Sequence, residues 1–195
     1  MSKELIKVVA QGGHITNYVH LALQSGDNEV LKNMNRKYTR EKYIQLVKKV
    51  KKYLSDCFLA TDVLVGFPNE SYKQFLNTVK LFKLAKFDMA YINKYSPRAG
   101  TVSARMADNV TKAEKKRREF ELNKVLSQIA LANNKKLLGR QIRVLIDGRA
   151  KDGQLIGKDF GYRSVKVASN KNLIGHFVDI LVTKANNFGL EGELL

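Results

Sequence analysis

Apolar positions along this chain change period several times, and the changes mark its elements. Tyr18-Val19-His20-Leu21-Ala22-Leu23, Phe58 to Val65 and Asp88 to Lys94 are short, mostly apolar runs closed by turn residues, so they read as buried strands. Between the first two, Tyr43, Leu46, Val47, Val50 and Leu54 recur at helical spacing, with Lys48, Lys49, Lys51 and Lys52 opposite. That predicts a helix from Thr39 to Leu54, preceded by a shorter one that Asp27 caps and that runs to Met34. Ser71 to Lys86 forms the next, with Phe75, Val79 and Phe82 on one face. The order is βαβαβ. Its crossovers require parallel strands with right-handed connections.

The period changes again after Gly100. Thr111 to Leu138 reads as one long helix, opened by a capping box at Thr111-Lys112-Ala113-Glu114 and ended by Gly139. Beyond it, Gln141 to Ile146, Gln154 to Lys158, Arg163 to Val167, His176 to Thr183 and Phe188 to Leu194 are short β-type runs between Gly, Asp and Asn turns. Five such strands in so short a span predict a small closed barrel. The domains are expected at 1–138 (α/β) and 139–195 (all-β).

Composition adds a partner class. The 195 residues carry 35 Lys and Arg against 18 Asp and Glu, a net charge of +17. Such an excess suits a polyanion, and RNA is the expected one, although a solubilising surface would also be basic. Cys57 is the only cysteine, which excludes an internal disulfide and points to a reducing cytoplasm. No apolar run is long enough to span a membrane.

Candidate chemistry gathers at three strand ends. Gln24-Ser25-Gly26, Asp62-Val63-Leu64-Val65-Gly66-Phe67-Pro68-Asn69-Glu70 and Tyr95-Ser96-Pro97-Arg98 each follow a strand, where α/β proteins build ligand sites. Gln24 and Ser25 offer hydrogen bonds. Arg98 and Arg36 offer guanidinium groups to a carboxylate or phosphate. Asp62 inside an apolar strand needs a partner or a ligand. His20 is expected as a packed core residue and Cys57 as a small buried one. The three His show no metal-ligand spacing, and no P-loop, GxGxxG or catalytic triad is present.

Taken together, His20 to Gly26, Met34 to Thr39, Thr61 to Pro68 and Tyr95 to Thr101 resemble the C-terminal part of the radical S-adenosylmethionine methylthiotransferases. The resemblance implies the C-terminal half of a partial TIM barrel followed by a TRAM domain, a small β-barrel that binds RNA. It implies 2-methylthio transfer to N6-isopentenyladenosine beside the anticodon of tRNA. Gln24, Ser25, Arg36, Asp62, Gly66, Tyr95 and Arg98 would line the S-adenosylmethionine pocket. The expected RNA-facing cations are Lys115, Lys116, Arg117, Arg118, Arg143, Lys158 and Arg163. The implied partners are the anticodon stem-loop, an electron donor, and the N-terminal half or a separate polypeptide that supplies it.

One departure is decisive. The family holds a [4Fe–4S] cluster on CxxxCxxC and a second cluster on three further cysteines, and this chain has neither motif. It is therefore expected to be a C-terminal fragment, inactive alone. A half barrel exposes strand edges and an apolar inner face, so the α/β part is expected to aggregate, dimerise or require its missing half. The alternative is a stand-alone RNA-binding fragment without catalysis.

Overall fold

A computed structural model describes residues 1–195. The chain forms two compact units, one of residues 1–19, 53–58 and 127–195, the other of 20–52 and 59–126. The elements are α1 (Lys3–Ala10), β1 (Tyr18–His20), α2 (Asn28–Asn33), α3 (Arg40–Tyr53), β2 (Phe58–Val65), α4 (Tyr72–Ala85), β3 (Met89–Lys94) and α5 (Lys112–Lys135). Then follow β4 (Gln141–Arg149), β5 (Leu155–Asp159), β6 (Ser164–Val167), β7 (Phe177–Ala185) and β8 (Gly189–Leu194).

The sheet has the order β1-β2-β3, and β2 and β3 run parallel in the register Ala60↔Met89 to Val65↔Lys94. Leu59, Thr61, Val63 and Val65 of β2 are buried, as are Phe75 and Phe82 of α4. Of the alternate positions Ala60 is buried while Asp62 and Leu64 are only half-buried, so the second face of β2 is open toward its C-terminal half. The expected strand Tyr18–Leu23 ends at His20. Leu23 N donates to the Thr61 hydroxyl (3.0 Å) rather than to a backbone carbonyl, and that hydroxyl donates to Leu21 O (2.7 Å). Ladder pairing returns only at Gln24, which bridges Val63 in parallel.

Local chemistry accounts for the helix ends. Asp27 accepts from the Glu29 and Val30 amides, and Ser71 and Gln74 form a reciprocal capping box at α4. At α5 only half of the expected box forms. Thr111 Oγ1 accepts from Glu114 N (3.2 Å), whereas the Glu114 carboxylate turns to Arg117 and Arg118. Gly139, at φ +72, donates its amide to Val182 O (2.9 Å) as the chain leaves the helix.

Residues 141–194 form a closed barrel in the order β4-β5-β6-β8-β7. Its core is Val144, Ile146, Leu155, Val165, Val167, Ile180, Val182 and Leu190, largely the inward alternate positions of five strands. An odd strand number closes because β6 and β8 pair in parallel while the other neighbours are antiparallel. No helix of the chain is long and apolar enough to cross a membrane.

Candidate functional site

A cleft of ≈ 690 Å³ opens at the C-terminal ends of β2 and β3. Leu64, Phe67, Asn93 and Tyr95 come from those strand ends, Gln24 from the end of the first segment, and Met34 to Arg36 from the turn after α2. Arg98 and Thr101 to Ser103 close it from a loop that ends in a short 3₁₀ turn, Val102–Arg105. Of the seven residues expected at a cofactor pocket, Gln24, Arg36, Tyr95 and Arg98 line this one cleft. Phe67 and Tyr95 meet edge-to-face at 5.2 Å and give it an apolar wall. Arg36 and Arg98 are exposed at its rim.

Ser25, Asp62 and Gly66 lie elsewhere. Ser25 is fully buried, and its hydroxyl accepts from Asp27 N (3.2 Å), bracing the cap of α2. Gly26 follows it because a Cβ there would sit 2.5 Å from Thr78 Cα on α4. Asp62 faces the open side of the sheet, where its carboxylate meets His20 Nε2 at 2.9 Å. His20 is thus not a core residue. Its side chain is 31% exposed and stacks on Tyr91 at 6.1 Å. The rung His20–Asp62–Tyr91 is the partner that a charge inside an apolar strand requires.

Gly66 is a structural contact with α5. At φ +70 it tolerates a left-handed turn, and a Cβ would overlap Cγ of Lys115. Its amide donates to Glu70 Oε2 (2.7 Å). Arg118 Nη1 meets that same oxygen and Glu70 O, each at 2.9 Å. Burial pushes the Glu70 carboxyl above its ordinary range, opposed by the Gly66 amide and the Arg118 guanidinium.

The basic helix face must be revised accordingly. Lys115 and Arg118, expected to face RNA, are buried under the loop after β2. Lys115 Nζ donates to Asp108 Oδ2 (2.6 Å) and Tyr95 O (3.2 Å) and lies 5.0 Å from the Tyr95 ring centroid. Three residues later on the helix, Arg118 reaches Glu70. The i, i+3 spacing places both cations on the inner face of α5. Lys116 and Arg117 remain exposed, Arg117 held by Glu114 and Glu121 over the Tyr72 ring. In the barrel, Arg143 is exposed beside Phe177. Lys158 donates to Ser164 Oγ (2.7 Å). Arg163 is mostly buried against Phe58 and pairs with Asp159 at 3.0 Å.

Sequence reasoning did not single out Asn33, Asn93, Val102 or Ser103, and it carried Asn35 and Thr101 only inside longer motifs without a site role; all six line the cleft. Asn35 carried a usable signal, since Asn favours the left-handed conformation it adopts (φ +57).

A parallel sheet with a ligand-sized cleft at its strand ends, followed by a five-stranded barrel, is the architecture of a radical SAM half barrel joined to a TRAM domain. Residues 1–82 match the Radical SAM superfamily and residues 135–195 match the TRAM domain. The coproporphyrinogen III oxidase HemN from Escherichia coli, a radical SAM enzyme, superposes with a TM-score of 0.56 over 93% of this chain and 44% of its own. At 14% identity that likeness is one of fold.

Curated relatives are closer in sequence. The chain is 40% identical over 193 residues to the tRNA-2-methylthio-N(6)-dimethylallyladenosine synthase of Bacillus cytotoxicus, and 42% identical to those of Bacillus anthracis and Geobacillus kaustophilus. Each match covers 98% of this chain, which spans 36–38% of the length of these relatives. Over nearly its whole length the chain is thus similar to one part of these synthases, and it carries a Radical SAM match followed by a TRAM match.

Proposed function

We propose that this chain forms the cofactor-cleft wall and the RNA grip of a tRNA methylthiotransferase. The enzyme would add a 2-methylthio group to N6-isopentenyladenosine next to the anticodon. The supporting observation is the convergence of Gln24, Arg36, Tyr95 and Arg98, from three separate segments, on one cleft. The boundary between the two roles is placed at 138/139, just before the barrel begins.

The cleft suits S-adenosylmethionine. Arg36 and Arg98 would hold its carboxylate, Gln24 its polar groups, and the Phe67–Tyr95 wall an apolar or planar portion. When bound, that cofactor supplies the adenosyl radical and the methyl group. The chain's own part is to orient it: Lys115 fixes Tyr95 from behind, and Glu70 with Arg118 fixes the turn at Gly66. The iron–sulfur cluster does not fit the residues present. Four irons need several thiolates, and Cys57 is a single, buried one. Any catalytic assembly would draw that cluster, and an electron donor, from outside these residues.

The test is a chimera. This chain, joined to the remaining N-terminal part of the Bacillus cytotoxicus relative, should restore 2-methylthio nucleosides to the tRNA of a strain lacking the activity, read by mass spectrometry. Arg36→Gln with Arg98→Gln should abolish the signal while leaving the protein level unchanged. A chimera that accumulates yet leaves tRNA unmodified contradicts the reading.

A further inference from the structure

The outer wall of the barrel carries a surface that a phosphate grip does not explain. Leu145 on β4 is paired on one side with Lys158 of β5 and on the other with Phe177 of β7, and Lys158 is paired in turn with Ser164 of β6. Neighbouring Val144 and Ile146 point into the core, so Phe177, Leu145, Lys158 and Ser164 form one outward rung across four strands. Arg143, one outward position along β4, lies over the Phe177 ring at 5.2 Å. At the other end, Lys158 Nζ lies over the Tyr162 ring at 5.3 Å.

Both rings are strongly exposed, Tyr162 at 57% and Phe177 at 59%. Neither belongs to the barrel core. Tyr162 is also held in a left-handed conformation (φ +70), a backbone state that disfavours a side chain with a Cβ. Its turn is fixed on both sides of the ring. Asp159 O accepts from Tyr162 N (2.9 Å), and Asp159 Oδ1 accepts from Arg163 N (2.7 Å). One edge of the ring meets Tyr18 at 5.8 Å, which anchors the turn, and the rest of the ring stays in solvent.

We propose that this outer face binds unpaired nucleotides, with Tyr162 and Phe177 as base-stacking platforms and Lys158 and Arg143 as their cationic partners. Two strand spacings, about 10 Å, separate the Lys158 and Phe177 backbones, a distance that about three stacked nucleotides cover. Unpaired bases can be splayed onto such rings, whereas bases inside a duplex are already stacked on one another. The occupant is RNA rather than an apolar protein surface because each ring carries its own cation and the chain as a whole is at +17. Asp179, paired in register with Arg143, lowers the positive potential at that end, so ring stacking rather than charge density carries the preference. This inference rests on the RNA-binding reading of the barrel and names which RNA the surface takes.

The test is fluorescence anisotropy with the full 195-residue chain, on a labelled unpaired RNA of about twelve nucleotides and on the duplex of the same sequence. Tyr162→Gly adopts the left-handed turn without strain, so it removes the ring while keeping the fold. Tyr162→Gly and Phe177→Ala should each weaken single-strand binding about tenfold and change duplex binding less than about twofold. Phe177→Tyr and Tyr162→Phe, which keep a ring, should retain wild-type affinity. Equal losses on both RNAs, or none, overturn the stacking proposal while the RNA-binding reading stands. A wild-type chain that binds neither RNA overturns both.

Discussion

Gly66→Ala isolates the contact that fixes the loop at the cleft. The new Cβ would overlap Lys115 Cγ and sit 3.1 and 3.2 Å from its Cδ and Cε. Lys115 cannot swing aside cheaply, because Asp108 and the Tyr95 carbonyl hold its ammonium group and its side chain is only 6% exposed. Forcing the packed side chains apart costs about 1–3 kcal/mol. The left-handed backbone (φ +70) adds about 1–2 kcal/mol for a residue with a Cβ. The sum, about 2–5 kcal/mol, is a large part of the roughly 5–15 kcal/mol that ordinarily separates folded from unfolded chains. In urea denaturation followed by circular dichroism, with a slope of about 2 kcal/mol/M, the midpoint should fall by about 1–2.5 M. In a Lys115→Ala background the steric part disappears, and Gly66→Ala should cost only the backbone strain of about 1–2 kcal/mol. An equal cost in both backgrounds would show that Lys115 is not what requires glycine here.

Three other outcomes follow from the same contacts. Arg118→Met should destabilise the chain by about 3–5 kcal/mol in the same denaturation assay, because it leaves the Glu70 carboxylate, 1% exposed, buried without its cation. Burial holds the folded-state pKa of Glu70 above its unfolded value, so its contribution is full below the unfolded value and is lost as pH rises through the folded one. Wild type should therefore lose stability relative to Glu70→Gln as pH rises above about 4.5, and a flat difference would contradict the assignment. Tyr43→Phe should cost about 1 kcal/mol, since the hydroxyl donates to Leu21 O at 2.6 Å inside the packed face of the sheet, and a neutral urea midpoint would refute that.

The βαβαβ order and the barrel were legible because they rest on period and turn chemistry. Phe58–Val65 matches β2 residue for residue, Asp27 caps the helix expected of it, and Ser71, read as the start of the next helix, is its cap. Half of the cleft was legible for a related reason: Gln24, Tyr95 and Arg98 stand at strand ends, and parallel topology gathers strand ends. What could not be read was direction. A run such as Lys115-Lys116-Arg117-Arg118 looks like a solvated basic face, yet helical periodicity turns Lys115 and Arg118 inward. Only the tertiary neighbours Asp108, Tyr95 and Glu70 make those burials affordable. His20 was misread in the opposite sense, because the open face of the sheet looks in sequence like a packed one. Residues without charge or special backbone roles, such as Asn93 and Ser103, reach the cleft through folding alone and carry no local signal.

The central claim, that the four convergent residues form a nucleoside-cofactor cleft, is tested most directly by NMR shift mapping of the 195-residue chain with S-adenosylhomocysteine. The account predicts saturable shifts at Gln24, Arg36, Tyr95 and Arg98 and at the adjoining Phe67 and Asn93, with the barrel residues from Gln141 onward unmoved. Shifts absent from the cleft at saturating ligand, or confined to the barrel, would contradict it.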